Sequence, residues 1–356
     1  MSKNETKQMY GIAILMMLCL HLFRTADPTN YFSILNTVFG KNVLLYIANF
    51  CGICVAIYAF ITGYGFSEYS KRKKFLYSGS DFKEISRYTI KHIVGLYRKY
   101  WLVFLFFVSL GYLTKSYEGY GIKTIVLSLL GLDSSFCGAW WYVWQYVILC
   151  TVFPLIMILF DVLTGIKKKN IDLKYGNVAM IFALFTFLTI VLWALDGFKT
   201  EKVIYGIICF LGYMSSRFSL IAKGKEILNN FSYSNYICVG IIAIMAILRV
   251  YQRIKWGGVN GLVDIVIIIP FFICACKLLE NRRWIATKLQ YFGGKSTYMW
   301  LIHNFFLTTN LAILIRVIKM AVVKYVALVI ISCICSFVLN KIEIALGRLK
   351  MQKKQN

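Results

Sequence analysis

Apolar residues run along this chain in stretches of about twenty, separated by short gaps in which lysine and arginine collect. A stretch of that length crosses the hydrocarbon core of a bilayer as one α-helix, because a helix satisfies its own backbone groups where no water is present. The pattern predicts membrane helices at roughly 8–24, 43–66, 98–114, 139–164, 176–195, 202–220, 233–251, 258–279, 296–318 and 322–346. The fold class that follows is all-α, a polytopic membrane bundle of about ten transmembrane helices. The gaps leave no room for a separate soluble domain, so residues 1–356 read as a single transmembrane domain, with a short basic tail from about residue 350.

Composition supports this. Apolar residues make up 59% of the chain, mean hydropathy is +0.68 and there are three prolines, values outside the range of soluble domains. A net charge of +25 could suggest nucleic acid. The lysines and arginines instead concentrate in alternate gaps, most densely at Lys71-Arg72-Lys73-Lys74 and on through Lys83, Arg87, Lys91, Arg98 and Lys99. That is a positive-inside signal, which places both termini in the cytosol and excludes nucleic acid as a partner. The first run lacks a small-residue cleavage site and is expected to stay as an anchor. Most of the eleven cysteines lie inside apolar runs, and the Cys51-x-x-Cys54 pair has no matching second pair, so neither a disulfide framework nor a metal site is expected.

Candidate chemistry starts with His21, near the far end of the run that begins at Tyr10. Eleven residues are about three helical turns, so Tyr10 and His21 share a face roughly 16 Å apart. An ionisable residue at membrane depth reads as a functional site, against the alternative of an interfacial imidazole bonded to water or a carbonyl. A second histidine, His303, lies in the ninth run, and His92 in the basic approach to the third is expected to be solvated. Arg98 and Lys99 stand against Tyr100-Trp101, placed either to snorkel or to meet an anionic ligand. The fourth run opens Trp140-Trp141-Tyr142-Val143-Trp144-Gln145-Tyr146, an interfacial aromatic belt in which Gln145 and Tyr146 are polar enough to face a cavity. Asp264 reads as the structural partner of Arg249 or Arg253. Residues 122–132 read as a surface amphipathic helix.

Four segments, taken in order, resemble the acyltransferase type 3 family, in particular its branch found with surface-polysaccharide genes. They are Gly11-Ile12 through His21, Thr62-Gly63-Tyr64, Trp141 through Pro154, and Gly294-Lys295-Ser296-Thr297-Tyr298 through His303. The chain departs from the family pattern at Tyr10, where an arginine or lysine is usual, and at Tyr146 and Val147, where many members carry a glutamate. The resemblance implies a ten-helix O-acyltransferase of the bacterial plasma membrane. Its donor would be cytosolic acyl-CoA, most often acetyl-CoA as co-substrate with no metal. Its acceptor would be a hydroxyl of a cell-surface or undecaprenyl-linked glycan, as in capsule or exopolysaccharide O-acetylation, with membrane lipid and other glycan-assembly proteins as further partners. It implies His21 as catalytic base and His303 as a second catalytic candidate, either donating to the thioester oxygen or bonding a neighbouring helix. Tyr10, Lys91, Arg98 and Lys99 would contact the donor, and Trp141, Tyr142 and Tyr146 the acceptor. A polysaccharide polymerase or flippase, or a transporter, is the alternative. The longest external gap, Lys115 to Gly138, holds only Lys115 and Lys123 as basic residues, which weighs against a polymerase, and no internal repeat is visible, which weighs against an inverted-repeat transporter.

Overall fold

A computed structural model describes residues 1–24, 31–39, 43–74, 79–164, 202–256 and 262–352. These residues are helical almost throughout, with one isolated bridge, Phe32 to Met320, as the extended pairing among them. The principal helices are α1 (Lys3–Arg24), α2 (Val43–Cys51), α3 (Cys54–Lys73), α4 (Gly79–Val103), α5 (Trp141–Thr164), α6 (Lys202–Arg217), α7 (Leu220–Asn229), α8 (Ser234–Trp256), α9 (Leu262–Glu280), α10 (Arg283–Ile302) and α11 (Ala321–Gln352). Among the described residues seven helical segments are long and apolar enough to cross a membrane, or eight if α6 and α7 count as one bent span. The expected fifth span, at 176–195, lies outside the described residues, as do the final residues of the basic tail.

Two expected boundaries move. The third helix does not begin at 98: α4 starts at Gly79 and continues through a five-residue π-helical segment, Phe104–Val108, to Leu113. The basic residues of its first half ride on a helix whose Ile85, Tyr88, Leu96 and Tyr100 form one buried stripe at helical spacing. His92, expected to be solvated, is half-buried on that helix; its ring packs on Tyr88 and its Nδ1 donates to the Tyr88 carbonyl. The ninth span is not a continuous helix over 296–318 either. Helix α10 occupies 283–302 and ends at His303-Asn304, after which short helical turns lead to α11.

The chain packs as two compact units. Unit 1 holds Met1–Thr6, Val55–His92 and Gln145–Arg283. Here Gly63 of α3 and Gly212 of α6 let two backbones touch: a Cβ on Gly63 would lie 1.7 Å from the Cys209 carbonyl oxygen, and one on Gly212 2.0 Å from that of Phe60. Gly65 packs against nothing so close. Beyond this crossing α6 and α7 meet at 66°, with Ser219 at φ +55, a left-handed conformation that costs a residue bearing a Cβ. The bend is braced by polar contacts. Lys71 Nζ donates to the Ser216 carbonyl at 2.6 Å and pairs with Glu68, while Arg217 pairs with buried Asp161 and donates to Ser70 and Tyr213. Asp264 of α9 takes Arg249 of α8 in a two-toothed pair at 2.7 and 3.1 Å, the partner choice left open by the sequence.

Unit 2 holds Lys7–Cys54, Ile93–Trp144 and Trp284–Asn356. The surface helix expected after residue 121 is present as Ile122–Leu129. Its last carbonyls are held by α4 side chains: the Tyr100 hydroxyl donates to Ser128, the Trp101 indole to Leu129 at 2.9 Å and the Tyr97 hydroxyl to Leu130 at 2.6 Å. These donors replace the partners that a helix C-terminus lacks.

Candidate active site

The site in unit 2 is set by a close helix crossing. A Cβ on Gly11 of α1 would fall 2.1 Å from the Leu289 carbonyl oxygen of α10, and one on Gly293 would fall 1.9 Å from that of Lys7. Each helix thus uses a glycine to admit the other's backbone, the usual device for helix contact where lipid supplies no hydrophobic drive. His21 stands ten residues beyond Gly11, and His303 ten residues beyond Gly293. Both lie about 15 Å of helical rise past the crossing. Because the helices run in the same direction, the equal offsets bring the two imidazoles together, with ring centroids 5.0 Å apart and planes inclined at 51°.

His303 is fully buried and oriented by its own helix. Its Nδ1 lies 2.8 Å from the Trp300 carbonyl oxygen and 3.2 Å from that of Met299. A carbonyl oxygen only accepts, so in the neutral ring Nδ1 carries the proton and Nε2 the lone pair. That Nε2 atom is buried and has no hydrogen-bond partner among the described residues. Of the two roles read from the sequence, donation to a thioester oxygen does not suit this tautomer, and the bonding is to His303's own helix rather than to a neighbour.

A tryptophan clasp fixes the turn that carries His303. The Trp140 indole, wholly buried, donates to the Leu301 carbonyl at 2.9 Å, and the Trp300 indole donates to the Ala139 carbonyl at 3.1 Å. Tyr100, Phe104 and Phe305 pack their rings around Trp140, and Phe107 touches both Phe305 and Phe306. The π-helical segment turns Phe104 and Phe107 to this cluster; such segments are frequent at functional sites. Trp141 and Tyr142 pack edge to face, and Tyr142 meets Trp300 in the same way at 5.8 Å.

Arg98 and Lys99 are not unpaired cations. Glu343 of α11 takes Arg98 Nε at 2.7 Å and Lys99 Nζ at 2.6 Å, and it accepts a hydrogen bond from the Tyr298 hydroxyl at 2.9 Å. Lys99 also lies 4.6 Å from the centre of the Tyr298 ring. Tyr298 is five residues after Gly293 and five before His303, so this cluster stands midway between the crossing and the histidine pair, about 7.5 Å of rise from each. Tyr10 is half-buried and adjoins the crossing at Gly11. Lys91, which is exposed, and Tyr146, which is half-buried, belong to unit 1, whereas His21, His303, Tyr10, Arg98, Lys99, Trp141 and Tyr142 belong to unit 2.

Glu343, Tyr298, Trp140 and Trp300 were not singled out as site residues from the sequence. Glu343 had a signal: it is the one acidic residue after Glu280, set in an apolar run. The tryptophans had none, since their donors act on backbone carbonyls.

Together the site offers an oriented imidazole pair for moving a proton, a carboxylate-held pair of cations and an aromatic wall. Comparison with curated proteins and with solved structures returns no match. A family model does match: it is that of the acyltransferase type 3 family, described as an acyltransferase domain, and it spans residues 9–341. The chain therefore belongs to the acyltransferase type 3 family and is a multi-pass membrane acyltransferase.

Proposed function

We propose that the protein is an O-acetyltransferase of the bacterial plasma membrane, moving an acetyl group from cytosolic acetyl-CoA to a hydroxyl of a cell-surface or undecaprenyl-linked glycan. The observation that supports this most is the pairing of His21 with His303, whose Nδ1 is committed and whose Nε2 is open. Transfer forms a bond between the acceptor oxygen and the acyl carbon and breaks the bond from that carbon to sulfur. The hydroxyl proton passes to His21 as base and then to the departing thiolate. His303 Nε2 accepts a hydrogen bond from His21 as the acceptor arrives, which turns the other His21 nitrogen toward the hydroxyl.

Arg98 and Lys99 meet the donor phosphates; charge-assisted bonds to phosphate are strong. Tyr10 donates a hydrogen bond to the pantetheine arm in place of the usual cation. Trp141 and Tyr142 face the sugar. The common direction of α1 and α10 is that of a first and a ninth span.

The test is His21→Ala in a strain whose surface-glycan acetylation is read by mass spectrometry, with membrane levels of the protein measured in parallel. Acetylation is expected to disappear while the protein remains. Unchanged acetylation at normal protein levels would refute the assignment.

A further inference from the structure

Lys324 is a lysine placed against its own stability. It lies in the first turn of α11, a 32-residue helix, where the macrodipole disfavours a cation. It is 6% exposed, and a lysine is rarely buried to that extent without a paired carboxylate. Among the described residues no carboxylate pairs with it: Glu343 is taken by Arg98 and Lys99, and Asp133 by Ser135. Its surroundings add positive charge, because Arg316 and Lys319 precede it on the chain and both are exposed.

What Lys324 does have is a built floor. Its Nζ lies 5.6 Å from the centre of the Tyr31 ring. Tyr31 is buried and held in place from both sides. The backbone of Phe32 donates to the Lys319 carbonyl at 2.7 Å and accepts from the Ala321 amide at 2.9 Å, while the Tyr31 ring packs on Phe23 at 5.6 Å. Phe23 is two residues beyond His21 on α1, and the neighbouring Tyr325 hydroxyl donates to the Leu15 carbonyl of the same helix at 3.0 Å. An ammonium over an aromatic face, at a helix N-terminus and at the histidine end of α1, is suited to receive an anionic oxygen.

We infer that Lys324 and the first turn of α11, with Tyr31 beneath, form a binding site for a phosphate group at the histidine end of α1, the phosphate being that of a glycosyl phosphate acceptor or of a lipid headgroup. The acceptor source rests on the function proposed above; the site itself does not.

The test uses the full-length purified protein in phosphatidylcholine nanodiscs, with thermal stability as the readout and glucose 1-phosphate and methyl glucoside as probes. Glucose 1-phosphate raises the Tm of the wild type and of Lys324→Arg in a saturable way, whereas methyl glucoside does not. Lys324→Met requires at least about tenfold more glucose 1-phosphate for the same effect, as expected on losing a charge-assisted bond. Lys324→Met without ligand is no less stable than the wild type, because a cation with no paired carboxylate among the described residues has been replaced by an apolar side chain. If phosphatidylglycerol in the nanodisc raises the Tm of the wild type and not of Lys324→Met, the phosphate is that of the headgroup. The inference is overturned if neither phosphate source acts on the wild type, if Lys324→Met responds like the wild type, or if Lys324→Met alone unfolds the protein while Lys324→Arg leaves it ligand-blind. His21→Ala keeps the phosphate response, so a failed acyl-transfer mechanism and a failed phosphate site give different results.

Discussion

Replacing Gly293 by alanine tests whether the helix crossing positions the histidine pair. The new methyl group would stand 1.9 Å from the Lys7 carbonyl oxygen, where about 3.0 Å is the closest approach that real Cβ atoms make. The Lys7 carbonyl and the Gly11 nitrogen that the methyl would meet are both backbone, so no side chain can swing aside: α1 and α10 must separate by about 1.1 Å or the crossing must slide. Overpacking of this kind costs about 1–3 kcal/mol. The effect on chemistry is larger, because a misplacement of about 1 Å between reacting groups can lower the rate about a hundredfold. Gly294→Ala is the matched control, since a Cβ there meets nothing within 4 Å. Both variants would be assayed for folded yield by size-exclusion chromatography and for acetyl transfer from acetyl-CoA by mass spectrometry of the glycan. Gly293→Ala is expected to lose about two orders of magnitude in rate at a modest loss of Tm, and Gly294→Ala neither. Equal rates in both variants would refute the claim that the crossing sets the distance between His21 and His303.

The other expectations concern charge. Glu343→Gln frees Arg98 and Lys99 from their carboxylate; with Arg98 65% exposed, its ion pair contributes at most about 1 kcal/mol to stability. If these cations meet the donor phosphates, the KM for acetyl-CoA falls by about threefold, equivalent to about 0.7 kcal/mol, and a rise in KM would remove them from the donor site. Arg249→Met strands the buried Asp264 carboxylate and is expected to cost about 3–5 kcal/mol, whereas Arg249→Met with Asp264→Leu recovers most of it in thermal unfolding. A double variant no more stable than the single one would mean that the pair is not an isolated structural device.

Much of the architecture was legible because membrane helices advertise themselves by length and hydropathy. The first, fourth and last spans lie close to where the apolar runs place them. The third did not, since the lysines and arginines between Lys83 and Lys99 masked a buried stripe of Ile85, Tyr88, Leu96 and Tyr100. The ninth did not because His303-Asn304 stops a helix that hydropathy alone would extend. Of the site, His21 and His303 stood out as imidazoles in apolar runs. Their meeting did not, because it depends on equal offsets from Gly11 and Gly293, and a glycine's partner is not written in its own segment. Arg98 and Lys99 were legible as cations, but their counter-charge lies 244 residues along the chain from Lys99, at Glu343.

The most direct measurement is acetyl transfer from acetyl-CoA to acceptor glycan by purified wild type, His21→Ala, His303→Ala and the double variant, each confirmed folded. If the two imidazoles act as one proton-transfer unit, each single variant loses about 10²- to 10⁴-fold in kcat. The double variant then loses no more than the worse single, because groups that act together are not additive. Losses that multiply in the double variant, or a folded His303→Ala enzyme with full activity, would contradict the account.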